Sequence, residues 1–180
     1  IMGGVSSKTS ENVVLCEACG FDVVLVETVG VGQSEFEVRE MVDFFLLLIV
    51  SNTGDELQGI KRGIVEMAHL ILVNKTDGDR QQEALNTRVK FGNALEFIQP
   101  INKNWKTIVG MCSAIDNRGI AEFWKTVESF IKNVGLRGIA LNRKTQAIKR
   151  FDSLINELII NQFWEVSKNK NKYEKLVEKL

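Results

Sequence analysis

The feature that most constrains this chain of 180 residues is the alternation of short apolar runs with longer amphipathic stretches. The apolar runs are too short to be free-standing helices and are apolar on both faces, which is typical of strands buried in a parallel sheet. Because the stretches between them have helical spacing, the sequence predicts a doubly wound α/β sheet. The predicted strands are Asp22–Glu27, Phe44–Val50, His69–Asn74 and Lys106–Cys112.

The chain changes character after Gly138, where one long amphipathic stretch runs to Val166 without a following strand. Residues 131–180 carry 11 basic and 5 acidic side chains, although the whole chain has 23 of each. A helix of this kind must bury its apolar stripe, either against its own domain or against a second copy of the chain. We therefore divide the sequence into a sheet domain, residues 1–135, and a helical extension, residues 136–180.

Composition narrows the possible surroundings and partners of the chain. The formal net charge of zero argues against non-specific binding to nucleic acid or membranes. The longest apolar run, Phe44–Val50, is far shorter than the ~20 residues that a membrane helix needs. Three cysteines without a framework pattern, and no secretory signal, indicate a reducing, cytoplasmic location. We interpret the cysteines and the single histidine, His69, as structural residues.

Two candidate sites follow predicted strands and contain glycines and charged residues. After the first strand, Glu27 and Gly30 have the chemistry of a magnesium and phosphate site, although Ser34 and Glu37 also fit a simple helix cap. After the second strand, the loop 51–63 is either a mobile segment that senses nucleotide or partner, or a connection in which Asp55 caps the next helix.

The third and fourth strands are followed by residues suited to guanine. In Asn74-Lys-Thr-Asp77, the carboxylate of Asp77 can accept both N–H donors of guanine, and adenine offers no such edge. The stem of Lys75 can lie over the base, and the Asn74 amide can tie the loop to its neighbours. After the fourth strand, the small residues Ser113 and Ala114 would let a backbone N–H reach the guanine O6.

These residues together resemble the G3E-class P-loop GTPases of the MeaB/ArgK/MMAA family, also called LAO/AO transport ATPases. The resemblance runs from about Gly3 to about Phe163 and is most specific in the run Glu27-Thr-Val-Gly-Val-Gly-Gln-Ser-Glu35. It implies a P-loop NTPase-like, mostly parallel sheet flanked by helices, with a C-terminal helical appendage for dimerisation. It also implies a homodimeric, GTP/GDP- and Mg²⁺-binding GTPase that assists adenosylcobalamin-dependent methylmalonyl-CoA mutase as a chaperone.

The resemblance assigns roles to individual residues. It places Glu27 next to Mg²⁺ through a water molecule, and it makes Glu27, Gly30, Gln33 and Lys61 the catalytic switch residues. It gives a second switch loop to Asp55, Glu56, Gln58 and Lys61. It assigns the guanine site to Asn74, Lys75, Asp77, Ser113 and Ala114.

The sequence departs from the family in one respect, since it holds no G-x-x-x-x-G-K-[ST] loop. In the nearest candidate, Gly3–Thr9, the pattern needs glycine where Met2 and Ser7 stand. We therefore expect a fragment with an incomplete sheet that hydrolyses no GTP alone and associates into a dimer or higher oligomer. The alternative is a catalytically inactive remnant that serves only as a partner-binding and dimerisation module.

Overall fold

Three parallel strands form one sheet in the order β1-β2-β3, where β1 is Leu46–Val50, β2 is Leu70–Asn74 and β3 is Ile108–Met111. The computed structural model describes residues 4–28, 34–51, 62–98 and 104–177. The register pairs Val50 with Asn74 and Val73 with Met111, so the carboxyl ends of the strands meet at one edge. The mostly parallel α/β sheet predicted from the apolar runs is confirmed.

Helices precede, connect and follow these strands. Their bounds are α1 Gly4–Ala18, α2 Ser34–Arg39, α3 Arg62–Met67, α4 Gln81–Leu95, α5 Ile120–Glu165 and α6 Ser167–Val177, with a 3₁₀ turn at Gly78–Arg80. The long helix α5 contains one non-helical residue, Gly135, with φ 71° and ψ 160°. Only glycine adopts such torsions readily, so the helical geometry of α5 is interrupted at this residue.

The main core lies between the sheet and α4. Ile71 and Val73 of β2 are fully buried, and so are Ala84 and Phe91 on the inner face of α4. A smaller apolar cluster on the opposite face of the sheet contains Leu70, Leu72 and Cys112, with Phe123 of α5 packed against it. Burial of β2 on both faces accounts for its near-continuous apolar sequence.

His69 joins the start of β2 to its surroundings. Its Nδ1 accepts the Phe45 N–H at 2.9 Å, and its carbonyl accepts the Trp105 Nε1–H at 2.9 Å. The ring packs against Phe130 at a centroid distance of 4.5 Å. Burial, and secondarily the charge of Arg39, lower its pKa to about 3, so the ring is neutral and structural, as expected.

The sheet prediction is wrong in one place, the expected strand Asp22–Glu27. Residues 21–28 have no regular secondary structure. Leu25 is 85 % exposed, and among the described residues no backbone hydrogen bond joins this segment to a neighbouring strand. A strand exists only when a partner satisfies its N–H and C=O groups. The apolar run alone therefore does not make a strand here.

The chain divides into two compact units, Val23–Leu141 and Ile1–Asp22 with Asn142–Leu180. The first unit holds every buried apolar residue among those described. In the second, the described part has only Ser10 buried, and Arg143 Nη1 pairs with Glu17 Oε1 at 2.9 Å. The domain boundary at residue 135 stays a prediction. None of the described helices combines the length and apolarity that crossing a membrane requires.

Candidate guanine-nucleotide site

A pocket opens at the carboxyl ends of β2 and β3, where ligands of such sheets bind. Its volume is about 490 Å³, within the usual range for small-molecule sites. The lining comes from the segment after β2 and from the segment after β3. The lining residues are Asn74, Lys75, Asp77, Asp79, Arg80, Ala114 and Ile115.

The first wall of the pocket begins with a tight local bend after β2. Lys75 has a φ of +58°, an uncommon value for a residue with a side chain, and its N–H donates to Asn74 Oδ1 at 2.8 Å. Cys112 Sγ lies 3.5 Å from the same oxygen. Burial raises the pKa of the Cys112 thiol, which keeps it protonated and able to donate. The Asn74 amide thus anchors the loop, as the motif predicts.

Asp77 is held by the segment that follows β3. Ser113 Oγ donates to Asp77 Oδ1 at 3.0 Å and accepts the Asp116 N–H at 3.2 Å. Ser113 is fully buried, whereas Asp77 is half-buried on the pocket wall. Within the described part of the chain, Asp77 Oδ2 has no hydrogen-bond partner. An oriented carboxylate with a free oxygen can accept N–H donors from a ligand.

Thr76 links the two segments by backbone and side-chain contacts. Its N–H and its hydroxyl both donate to the Cys112 carbonyl, at 3.3 and 3.0 Å. Its own carbonyl accepts Arg118 Nη2 at 2.8 Å. Because Thr76 is buried, these bonds replace lost water contacts and fix the segment that carries Asp77.

The segment after β3 closes on itself before α5 begins. Ser113 and Arg118 exchange two backbone hydrogen bonds of 3.0 Å, which enclose residues 114–117 in a short loop. The closure uses left-handed torsions, φ +52° at Asn117 and +75° at Gly119. A Cβ on Gly119 would lie 2.2 Å from the Met111 carbonyl oxygen, so only glycine fits there.

Five of the predicted site residues come together in this arrangement. Asn74, Lys75, Asp77 and Ala114 line the pocket, and Ser113 contacts it through Asp77. Their roles toward a nucleotide are not tested by this placement and stay predictions. Glu27 is exposed and is not a lining residue. Outside the described residues lie Gly30, Gln33, Asp55, Glu56, Gln58 and Lys61.

The described residues do not assemble a magnesium site. Among them, no group of three His, Cys, Asp or Glu side chains lies close enough to hold a metal ion. Mg²⁺ in nucleotide sites usually needs one or two carboxylates together with phosphate oxygens and water. Glu27 could supply one such carboxylate, and phosphate oxygens and water would complete the donor set.

Sequence reasoning missed several residues of this site. Asp79, Arg80 and Ile115 line the pocket, and Arg118 and Cys112 support its walls from behind. The sequence could have indicated Asp79, Arg80 and Ile115, because they lie next to the predicted guanine-site residues at 74–77 and 113–114. The directions of Arg118 and Cys112 depend on the left-handed loop and on the register of β3, neither of which the sequence reveals.

A parallel sheet covered by helices, with a polar pocket at its carboxyl edge, defines the class of open α/β-sheet proteins, whose ligands bind at this edge. Within that class, the chain belongs to the family described as methylmalonyl-CoA mutase-associated GTPase MeaB, whose model matches residues 1–168. The expected relationship to MeaB/ArgK-type GTPases is therefore confirmed.

Individual relatives agree with this assignment. The chain is 42% identical over 164 residues to the probable GTPase Rv1496 of Mycobacterium tuberculosis, and 40% identical over 164 residues to GTPase ArgK of Escherichia coli. It is 43% identical over 163 residues to the mitochondrial methylmalonic aciduria type A homolog of Mus musculus. These matches cover 90–91% of this chain but only 39–50% of the relatives.

A solved structure has the same fold. The crystal structure of a LAO/AO transport system kinase matches with a TM-score of 0.84 and 35% sequence identity. The match covers 97% of this chain and 56% of that one. The chain thus spans about half the length of the family members it resembles.

Proposed function

We propose that this chain carries the guanine-selecting part of a MeaB-family GTPase and assists an adenosylcobalamin-dependent methylmalonyl-CoA mutase. One observation carries the proposal: Ser113 holds the Asp77 carboxylate on the wall of a pocket at the carboxyl edge of the sheet. The mutase enters through the family description and through the name of the mouse relative.

The pocket chemistry favours guanine over adenine. A carboxylate is an acceptor only, and guanine presents two neighbouring donors, N1–H and N2–H₂, to such a group. Adenine has an unprotonated N1 and no 2-amino group, so it would leave Asp77 unpaired at a cost of about 1–3 kcal/mol. The aliphatic stem of Lys75 offers an apolar surface for the ring, with its ammonium group in water.

Binding by this chain alone is expected to be weak. The sequence contains no P-loop, which in related enzymes supplies much of the grip on the phosphates and of the charge stabilisation. Contacts to the base contribute only about 1–3 kcal/mol each, so we expect a dissociation constant for GDP in roughly the millimolar range. We expect no measurable GTP hydrolysis.

The same proposal includes the switch residues. It gives switch roles to Glu27, Gly30, Gln33 and Lys61, and it includes the water-mediated contact of Glu27 with Mg²⁺.

The proposal is tested by titrating the ¹⁵N-labelled chain with GDP, ADP and xanthosine diphosphate. GDP should shift the amide signals of residues 74–79 and 113–116, and ADP at the same concentration should not. Asp77→Asn should weaken GDP binding about tenfold or more and improve xanthosine diphosphate binding, because an amide can donate to the extra carbonyl of xanthine.

Asp79→Asn is the matched control for this experiment. Asp79 is a second carboxylate on the pocket wall, but it has no hydrogen bond to Ser113. Its substitution changes the pocket charge equally and should leave the preference for GDP over ADP intact. Equal shifts with GDP and ADP, or a base preference unchanged by Asp77→Asn, would refute the proposed guanine site.

The second candidate function is a partner-binding and dimerisation module without nucleotide chemistry. It is favoured by the unit formed by residues 1–22 and 142–180, whose described part buries no apolar side chain but exposes Phe151, Leu158 and Phe163. Helices with an uncovered apolar stripe need a partner surface to be stable. We propose that a second copy of this chain covers the stripe, giving a homodimer.

A binding experiment with purified mutase separates the two candidates. For the GTPase-related role, capture of the mutase should depend on added GTP or GDP and should be lost in the Asp77→Asn chain. Capture that is indifferent to nucleotide favours the second candidate.

We place the protein in the cytoplasm, since all three cysteines are free, as in reducing compartments.

A further inference from the structure

Arg118 is a cation that stands behind the pocket and does not line it. Its Nη2 donates to the Thr76 carbonyl at 2.8 Å and lies 3.2 Å from Asp116 Oδ2. The guanidinium therefore bridges the segment after β2 and the loop after β3. About half of its side chain is exposed, so water still reaches one side of the group.

Each end of this bridge is connected to Asp77, either along the chain or through a hydrogen bond to Ser113. Thr76 immediately precedes Asp77, and Asp116 donates its N–H to the same Ser113 hydroxyl that holds Asp77. The planar guanidinium can serve both acceptors at once, because its N–H donors point in fixed directions. The loop closure by the Ser113–Arg118 backbone pair brings the side chain to this position.

We propose that Arg118 is a positioning residue for base selection: it fixes the Asp77 carboxylate relative to the 113–116 loop so that both guanine donors are met at once. The inference rests on the proposed guanine site. Without the bridge, the Thr76 carbonyl loses a charge-assisted hydrogen bond, and Asp77 can depart from the orientation that accepts two donors. Small misplacements of a recognition group lower selectivity before they abolish binding.

The test compares GDP with inosine diphosphate, which lacks the 2-amino group and so offers Asp77 one donor instead of two. In the unaltered chain, GDP should bind roughly tenfold more tightly than inosine diphosphate, the effect of one charge-assisted hydrogen bond. Arg118→Ala should weaken GDP binding about tenfold and reduce the ratio between the two nucleotides to about 2. A general loss of stability would not change this ratio.

Arg88 supplies the matched control. Its Nε also donates to a backbone carbonyl, that of Val109 in β3, at 3.3 Å, but it lies outside the pocket walls. Arg88→Ala should leave both the affinity and the ratio unchanged.

Two further variants alter the bridge more mildly. Arg118→Lys keeps one donor for Thr76 and should restore part of the selectivity. Asp116→Asn should lower the ratio of GDP to inosine diphosphate affinity only about 2-fold.

The outcomes distinguish the inference from the proposal beneath it. If GDP binds selectively and Arg118→Ala keeps the same ratio as Arg88→Ala, the positioning role is refuted and the guanine site stands. If the unaltered chain shows no preference for GDP, the guanine site itself is refuted and the inference falls with it. Should Arg118→Ala fail to fold, Arg118→Lys and Asp116→Asn decide the question by the same ratio.

Discussion

The Ser113 hydroxyl donates a hydrogen bond of 3.0 Å to Asp77 Oδ1, and this bond joins the ends of two neighbouring strands. The two residues are 36 positions apart in the chain, so the sheet brings them together. Ser113 also accepts the Asp116 N–H, which fixes the hydroxyl as donor toward the carboxylate. The orientation of Asp77 therefore depends on the strand register as well as on its own loop.

Removing this hydroxyl should weaken base recognition without unfolding the chain. Ser113→Ala leaves Asp77 free to rotate, so we expect GDP affinity to fall about 3–10-fold, measured by amide-signal titration. The matched control is Thr126→Val, which removes an exposed hydroxyl bonded to the Glu122 carbonyl at 2.8 Å. An unchanged GDP affinity in Ser113→Ala would show that the bond has no part in recognition.

Protonation of His69 at acid pH should destabilise the unit Val23–Leu141, which contains the sheet. Its pKa is about 3 in the folded chain and 6.5 as the reference for the unfolded one, so below pH 6.5 the unfolded state binds more protons. The contribution is complete above pH 6.5 and declines as the pH falls toward 3, with a slope approaching about 1.4 kcal/mol per pH unit. Urea unfolding at pH 7, 6 and 5 measures this slope.

His69→Asn is the control for the acid effect. An amide oxygen can replace Nδ1 as acceptor of the Phe45 N–H, but an amide does not titrate. The variant should be less stable at pH 7 and should lose less stability between pH 7 and 5. A slope as steep as in the unaltered chain would assign the acid sensitivity to other groups.

Gly119→Ala should be strongly destabilising. The residue has a left-handed φ of +75°, and a Cβ there would overlap the Met111 carbonyl oxygen. We expect a loss of about 3 kcal/mol or more in the free energy of unfolding, since both backbone strain and overlap contribute. Gly20→Ala is the control, because φ is +87° there and no atom lies within 4 Å of the added Cβ. Equal losses in the two variants would exclude the overlap as the cause.

The apolar stripe of α5 should control self-association. Phe151→Glu combined with Leu158→Glu places charges on two of its exposed members, and light scattering should then report a monomer where the unaltered chain gives a dimer. Ser153→Glu adds a charge on the opposite face of the helix and should leave the mass unchanged. An unaltered chain that is already monomeric would contradict the proposed homodimer.

Most of the sheet could be predicted because its strands are short, apolar on both faces and bounded by polar residues. The same pattern failed at residues 22–27, since a run of Val and Leu becomes a strand only where a neighbour accepts its hydrogen bonds. In the site, Asn74, Lys75 and Asp77 could be found because they stand at the end of a strand or shortly after it. Arg118 could not, because its side chain is aimed by the left-handed torsions at Asn117 and Gly119.

The central position of β2 also determines how well the pocket resists local unfolding elsewhere in the unit Val23–Leu141. Of the described strands, β2 alone has a hydrogen-bonded neighbour on both sides, and its apolar residues are buried on both faces. Its amides should therefore exchange with solvent deuterium only when the whole unit opens. Since Asn74 ends this strand and Asp77 follows three residues later, the loop that carries Asp77 is attached to the strand that should open last among those described. Local unfolding of the surrounding helices should therefore leave this loop in place.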